Sequence, residues 1–104
     1  MPGNLLNISG LKNSEIFEEI LRKDDFYIER IISPPMPGGD EKWYDQDTNE
    51  LVILLQGTAK IEFENEIITL KKGDYLIIES HRRHRVAFTG SEPVAVWLAI
   101  HYKD

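Results

Sequence analysis

The stretch "WYDQDTNELVILLQG", Trp43 to Gly57, places a polar, carboxylate-rich lead in front of an apolar run closed by glycine. The run is the material of strands, whereas the Asp, Gln and Asn ahead of it are residues that strands usually avoid. Side chains of a strand alternate between its faces. Tyr44, Gln46, Glu50, Val52 and Leu54 therefore share one face, and Leu51, Ile53 and Leu55 share the other. Both faces of "LVILL" are apolar, which predicts a strand covered on two sides: by a second sheet on one, and by a helix, another layer or a second subunit on the other. Val52 and Leu54 then point inward, and Glu50, Gln46 and Tyr44 continue the same row toward an open end. A buried carboxylate without a partner is strongly destabilising. Glu50 thus requires a metal ion, a histidine, an arginine or ordered water beside it.

Outward from this stretch the chain continues in short runs bounded by Gly, Asn, Asp or Ser: "TAKIEFENEIITL", "KKGDYLIIES", "HRVAF" and "VAVWLAIHY". Short strands at close spacing predict an all-β sandwich or barrel. Asn65 in "FENEI" suits a hairpin turn between "AKIEF" and "EIITL". Upstream, "FYIERIIS" at 26–33 reads as a strand that stops at "PPMPGG", whose prolines cannot donate to a ladder. Further upstream, "NSEIFEEILRKDD" carries Ile16, Phe17, Ile20 and Leu21 at helical spacing behind a capping Asn13 or Ser14. This predicts a short helix within an N-terminal extension, residues 1–25, ahead of a β domain at 26–104.

The chain has 104 residues, 41% hydrophobic and 29% charged, which suits one globular domain. No cysteine is present, so neither disulfides nor thiolate chemistry enter. A formal charge of -6 argues against nucleic acid as a partner, since the one basic knot, "HRRHR" at 81–85, is too local to reverse it. The opening "MPGNLLNISG" lacks the basic start and apolar core of a signal peptide, and no apolar run is long enough for a membrane helix. The default expectation is a cytoplasmic protein without membrane contact.

The spacing of Gly38, Tyr44, Gln46, Glu50 and Gly57 resembles the first motif of the cupin superfamily, in which two histidines stand at the positions of Tyr44 and Gln46. Gly73, Glu79, His81, His84 and Phe88 follow the spacing of its second motif, with Gly73 and His84 keeping the expected identity. With "GDYLIIESHRRHRV", the chain is similar to the small single-domain, conserved-barrel cupins. The resemblance implies a double-stranded β-helix, or jelly-roll barrel, often dimeric. It also implies a divalent metal at the barrel mouth. Carried over by position, Glu50 and His84 match ligands in place and type, while Gln46 and Tyr44 match in place alone.

His81, at the motif's usual glycine position, lies on a turn and could swing toward the same centre. A site of Gln46, Glu50, His81 and His84 offers mixed N and O donors suited to Mn, Fe, Ni or Zn. The alternative is that "HRRHR" is a solvated turn paired with Glu79 or Asp45. Tyr44, Val52, Leu54, Trp97 and His101 are expected to line the pocket. Asp45 and Asp47 have the opposite parity to Gln46 and are expected in solvent. No nucleophile constellation emerges, since Ser80 beside His81 lacks an orienting third group. Two function classes remain: a barrel-mouth pocket holding a small polar ligand, with or without a metal, or a metal-dependent enzyme of dioxygenase or isomerase type. In either case a homodimer is expected.

Overall fold

A computed structural model describes residues 1–104. Eight strands follow in order: β1 (Ile16–Arg22), β2 (Phe26–Ser33), β3 (Asn49–Gln56), β4 (Thr58–Phe63), β5 (Ile67–Lys71), β6 (Tyr75–Ile78), β7 (His84–Thr89) and β8 (Ala95–Tyr102). They form a five-stranded sheet in the order β1-β2-β8-β3-β6 and a three-stranded sheet in the order β5-β4-β7. All pairings between strands are antiparallel. The result is a jelly-roll barrel. No helix is long and apolar enough to cross a membrane.

The core forms where the inner faces meet. Val52 and Leu54 of β3, Trp97 and Ala99 of β8 and Ile31 of β2 pack against Ala59, Ile61 and Phe63 of β4 and Leu70 of β5. Ala59, Ala95 and Ala99 are fully buried, and their small side chains suit close packing there. Alternation along β3 is obeyed: Val52 and Leu54 are buried, while Leu51, Ile53 and Leu55 on the outer face are half-buried. The hairpin at Asn65 forms as expected, with β4 paired to β5 and the Phe63 N–H donating to the Glu66 carbonyl at 2.7 Å.

The N-terminal helix does not form. Residues 16–22 are instead strand β1, hydrogen-bonded along β2. A bulge explains the misleading pattern. Ile20 has no partner in the register, which passes from Glu19 opposite Glu29 to Leu21 opposite Ile28. One extra residue reverses the facing of everything after it. Phe17 therefore faces inward and Leu21 outward, and a broken period of two mimics a helical stripe. Seven residues make a marginal helix, whereas an existing sheet edge supplies a full ladder of backbone partners.

The outer face of the five-stranded sheet is apolar in cross-strand rows. One runs Leu21, Ile28, Ile100, Leu51, Ile77, and the next ends in Leu98, Ile53 and Tyr75. Glu18 and Arg30 interrupt the second row as an ion pair at 2.5 Å. Arg30 also donates to the carbonyls of Leu5 and Asn7, which ties the N-terminal segment to the sheet.

The loop between β2 and β3 lies along β7. Bridges join Met36 to Thr89 and Tyr44 to His84. Between them, the Asp40 N–H donates to the Val86 carbonyl at 2.7 Å. Gly39 permits this approach, since it sits at φ 76 and a Cβ there would lie 2.5 Å from the Ala87 carbonyl oxygen.

Candidate functional site at the barrel mouth

A cavity of about 70 Å³ opens above the apolar core. Its walls carry Glu29 and Ile31 from β2, Glu50 and Val52 from β3, His84 from β7, and Trp97 and His101 from β8. Tyr44 and Gln46 enter from the loop before β3, and Glu15 and Phe17 enter from the N-terminal side. Leu54 lies below as fully buried core and does not line the cavity. The inward row predicted from parity therefore runs from Leu54 up through Val52 and Glu50 to Gln46 and Tyr44.

Glu50 is the hub. Its Oε1 accepts from the Gln46 amide at 2.9 Å and lies 3.7 Å from His84 Nε2, and its Oε2 lies 4.0 Å from His101 Nε2. Glu50 and His84 are both buried. The His84 Nδ1 sits 2.9 Å from the Arg82 carbonyl, and a carbonyl only accepts, so Nδ1 carries the proton. Nε2 then faces the Glu50 carboxylate beyond hydrogen-bond distance. His101 is held through its other ring nitrogen: its Nε2 donates to Glu29 Oε1 at 2.9 Å. Its Nδ1 is buried without a partner.

A second carboxylate system closes the other side of the cavity. The Ser33 hydroxyl donates to Glu15 Oε2 at 2.5 Å, and Trp97 Nε1 donates to Ser33 at 3.0 Å. Burial pushes the Glu15 carboxyl up from its usual range, and the charges of Asp40 and Glu50 add to this against the Ser33 hydrogen bond. Burial likewise pushes the Tyr44 phenol up to about 12, with Glu15, Asp40 and Glu50 contributing. Tyr44 therefore stays protonated at neutral pH. It stacks 5.9 Å from the His84 ring as part of the wall.

His81 lies elsewhere. It is exposed, does not line the cavity, and its Nδ1 is 2.7 Å from Asp45. The Asp45 hydrogen bond and charge raise its pKa. Its φ of 64 is the left-handed region where the motif favours glycine. The neighbouring arginines also turn away from the cavity: Arg82 to Glu66, Arg83 to Glu64 and Arg85 to Glu62. Asp45 and Asp47 are in solvent, as their parity predicts.

Among the lining residues that the sequence does not mark as site residues are Glu15, Phe17 and Glu29. Glu29 was legible in principle, because it shares the parity of Tyr27, Ile31 and Ser33 on β2. Glu15 and Phe17 were assigned to the helix that does not form.

The donor set fits a divalent metal only in part. Glu50 and His84 have the chemistry of ligands, but Gln46 presents its amide N–H to Glu50. No three His, Asp or Glu side chains converge closely enough to hold an ion.

Comparison with known proteins agrees with this architecture. Residues 35–101 match the family model described as "Cupin domain". A candidate mannose-6-phosphate isomerase from Ralstonia eutropha is 36% identical at TM-score 0.90, over 100% of this chain and 99% of that one. A cupin superfamily protein from Desulfitobacterium hafniense is 23% identical at TM-score 0.75, covering 93% and 84%. The iron(II) form of HppE shares the fold at 14% identity and TM-score 0.75, covering 91% of this chain and 55% of its own. A comparison with curated proteins finds no match. With its jelly roll, its two motif spacings and a family match across most of its length, the chain belongs to the cupin family.

Proposed function

We propose that the barrel mouth binds a small polar molecule, with Glu50 and His84 as its anchor. The observation that carries this reading is the convergence of two buried polar groups on one open cavity: Glu50 Oε1 and His84 Nε2 stand 3.7 Å apart, and His84 Nε2 has no hydrogen-bond partner. Such groups persist in a cavity when a ligand supplies what the protein withholds. The Ralstonia relative's description names a sugar phosphate, which is therefore one of the ligands to test against this site. The test is titration of Glu50→Gln and His84→Ala against the parent protein with small polar ligands and with Mn²⁺, read by calorimetry. Loss of binding in both variants supports the reading, and unchanged binding in both would sink it.

A second reading, a metal-dependent enzyme of dioxygenase or isomerase type, is favoured by the His84 tautomer. A ring whose Nδ1–H is fixed by a carbonyl offers Nε2 as a ligand or base. A bound Mn, Fe, Ni or Zn would polarise a substrate oxygen. Stoichiometric metal in protein purified without a histidine tag supports this reading.

The protein is proposed to work as a homodimer joined through the outer face of the five-stranded sheet. Tyr75, Ile77 and Leu21 are exposed there beside the half-buried Leu51, Ile53, Leu98 and Ile100. Light scattering at micromolar concentration should give twice the chain mass of 12.0 kDa. A monomer mass would remove the claim.

A further inference from the structure

The cavity is rich in carboxylate oxygens, and its walls carry neither lysine nor arginine. Among its lining residues are three glutamates, Glu15, Glu29 and Glu50. Each glutamate engages one oxygen with a protein donor: Glu15 with Ser33, Glu29 with His101 and Glu50 with Gln46. The donors are thereby largely used. Trp97 N–H is committed to Ser33, and His84 Nδ1–H is committed to the Arg82 carbonyl. The Tyr44 hydroxyl faces Asp40. His84 Nε2 remains without a hydrogen-bond partner on the cavity wall, 3.7 Å from Glu50 Oε1, whereas His101 turns Nε2 to the carboxylates and keeps Nδ1 buried away from the cavity.

We infer that the occupant of this cavity is a small organic ammonium, and that phosphorylated sugars are excluded from it. This rests on the reading of the barrel mouth as a binding site. A protonated primary amine brings three donors and a positive charge, which answers the three carboxylates. A phosphate brings only acceptors and negative charge into the same place. The nearby arginines cannot offset this, because each is paired with a glutamate on the outside of the barrel. The acceptors also stand on different walls, with no three converging on one point, which suits a multi-atom donor better than a single ion. Size agrees: about 70 Å³ admits roughly five waters or as many heavy atoms. Glu15 contributes from outside the family-matched segment 35–101 and so gives this chain a carboxylate that the cupin motifs do not specify.

The experiment uses the full chain with four probes: 2-aminoethanol, ethylene glycol as its neutral counterpart, mannose 6-phosphate and Mn²⁺. Binding is read as saturable shifts of the His84 and His101 imidazole resonances by NMR. The expected result is saturation by 2-aminoethanol at least tenfold tighter than by ethylene glycol, with no shift by mannose 6-phosphate. Glu15→Gln should weaken the amine at least threefold while the His81 resonance stays unchanged. Equal binding of amine and glycol, or saturation by mannose 6-phosphate, overturns the inference. A response to Mn²⁺ alone also overturns it but leaves the barrel mouth as a binding site. No response to any probe removes both readings.

Discussion

The lower and upper halves of the inner row that ends β3 share one face of one barrel and differ in almost everything else. Leu54 and Val52 sit among apolar neighbours that exclude water, so their contribution is packing. Glu50, Gln46 and Tyr44 stand a few residues away at an open end, where each polar atom must find a partner from another strand or from a ligand. The difference teaches that position along an inward row, more than identity of strand, divides stability from function. Substitutions below Val52 should destabilise the protein, and substitutions above it should empty the site.

The largest effect is expected at the floor. Leu54→Ala removes a fully buried side chain and should lower unfolding free energy by about 2–5 kcal/mol in urea titration. Its ligand response should persist under native conditions. Next comes Glu50→Gln, which keeps shape and the Gln46 contact while removing charge. Binding should fall at least tenfold with stability changed by about 1 kcal/mol or less. A stable, fully binding Glu50→Gln protein, or an unfolded one, would break the division between floor and mouth.

Glu15→Gln sharpens it further. Because burial raises the folded-state pKa of Glu15 above its ordinary 4.5, stability falls as pH rises above 4.5, and the loss is complete once pH exceeds the raised value. The variant should melt higher than the parent at neutral pH, and the gain should vanish below pH 4.5. The smallest effect is expected at His81, outside the mouth altogether. Its pKa is raised by Asp45, so the pair's stabilisation is present below the ordinary 6.5 and is lost as pH rises through the folded value. His81→Asn, which tolerates the left-handed backbone, should melt slightly lower than the parent at pH 5.5 and match it at pH 9.

Much of this was legible in the residues. Period-two alternation located β3, and the two motif spacings brought Glu50 and His84 together, because those signals are local or fixed by strand spacing. What failed was non-local. The Ile20 bulge disguised β1, and only the presence of β2 beside it decides strand over helix. His81 and His84 lie three residues apart on paper, yet backbone direction at a left-handed residue sends one to solvent and the other inside. Glu29 becomes a site residue only when β8 carries His101 past it.

The loop that lies along β7 has a consequence for association between chains. Strand margins with open N–H and C=O groups are templates for pairing with other molecules. Met36, Asp40 and Tyr44 fill those groups along β7 with backbone from the same chain. On the large sheet, β1 is bulged and charged by Glu18, Glu19 and Arg22, and β6 offers four residues. The strand bearing His84 is thus shielded from intermolecular pairing, and Gly39, remote from any chemistry, keeps it so. Gly39→Val should loosen that cover and let otherwise folded protein polymerise margin to margin on gentle warming, visible as thioflavin-positive aggregates.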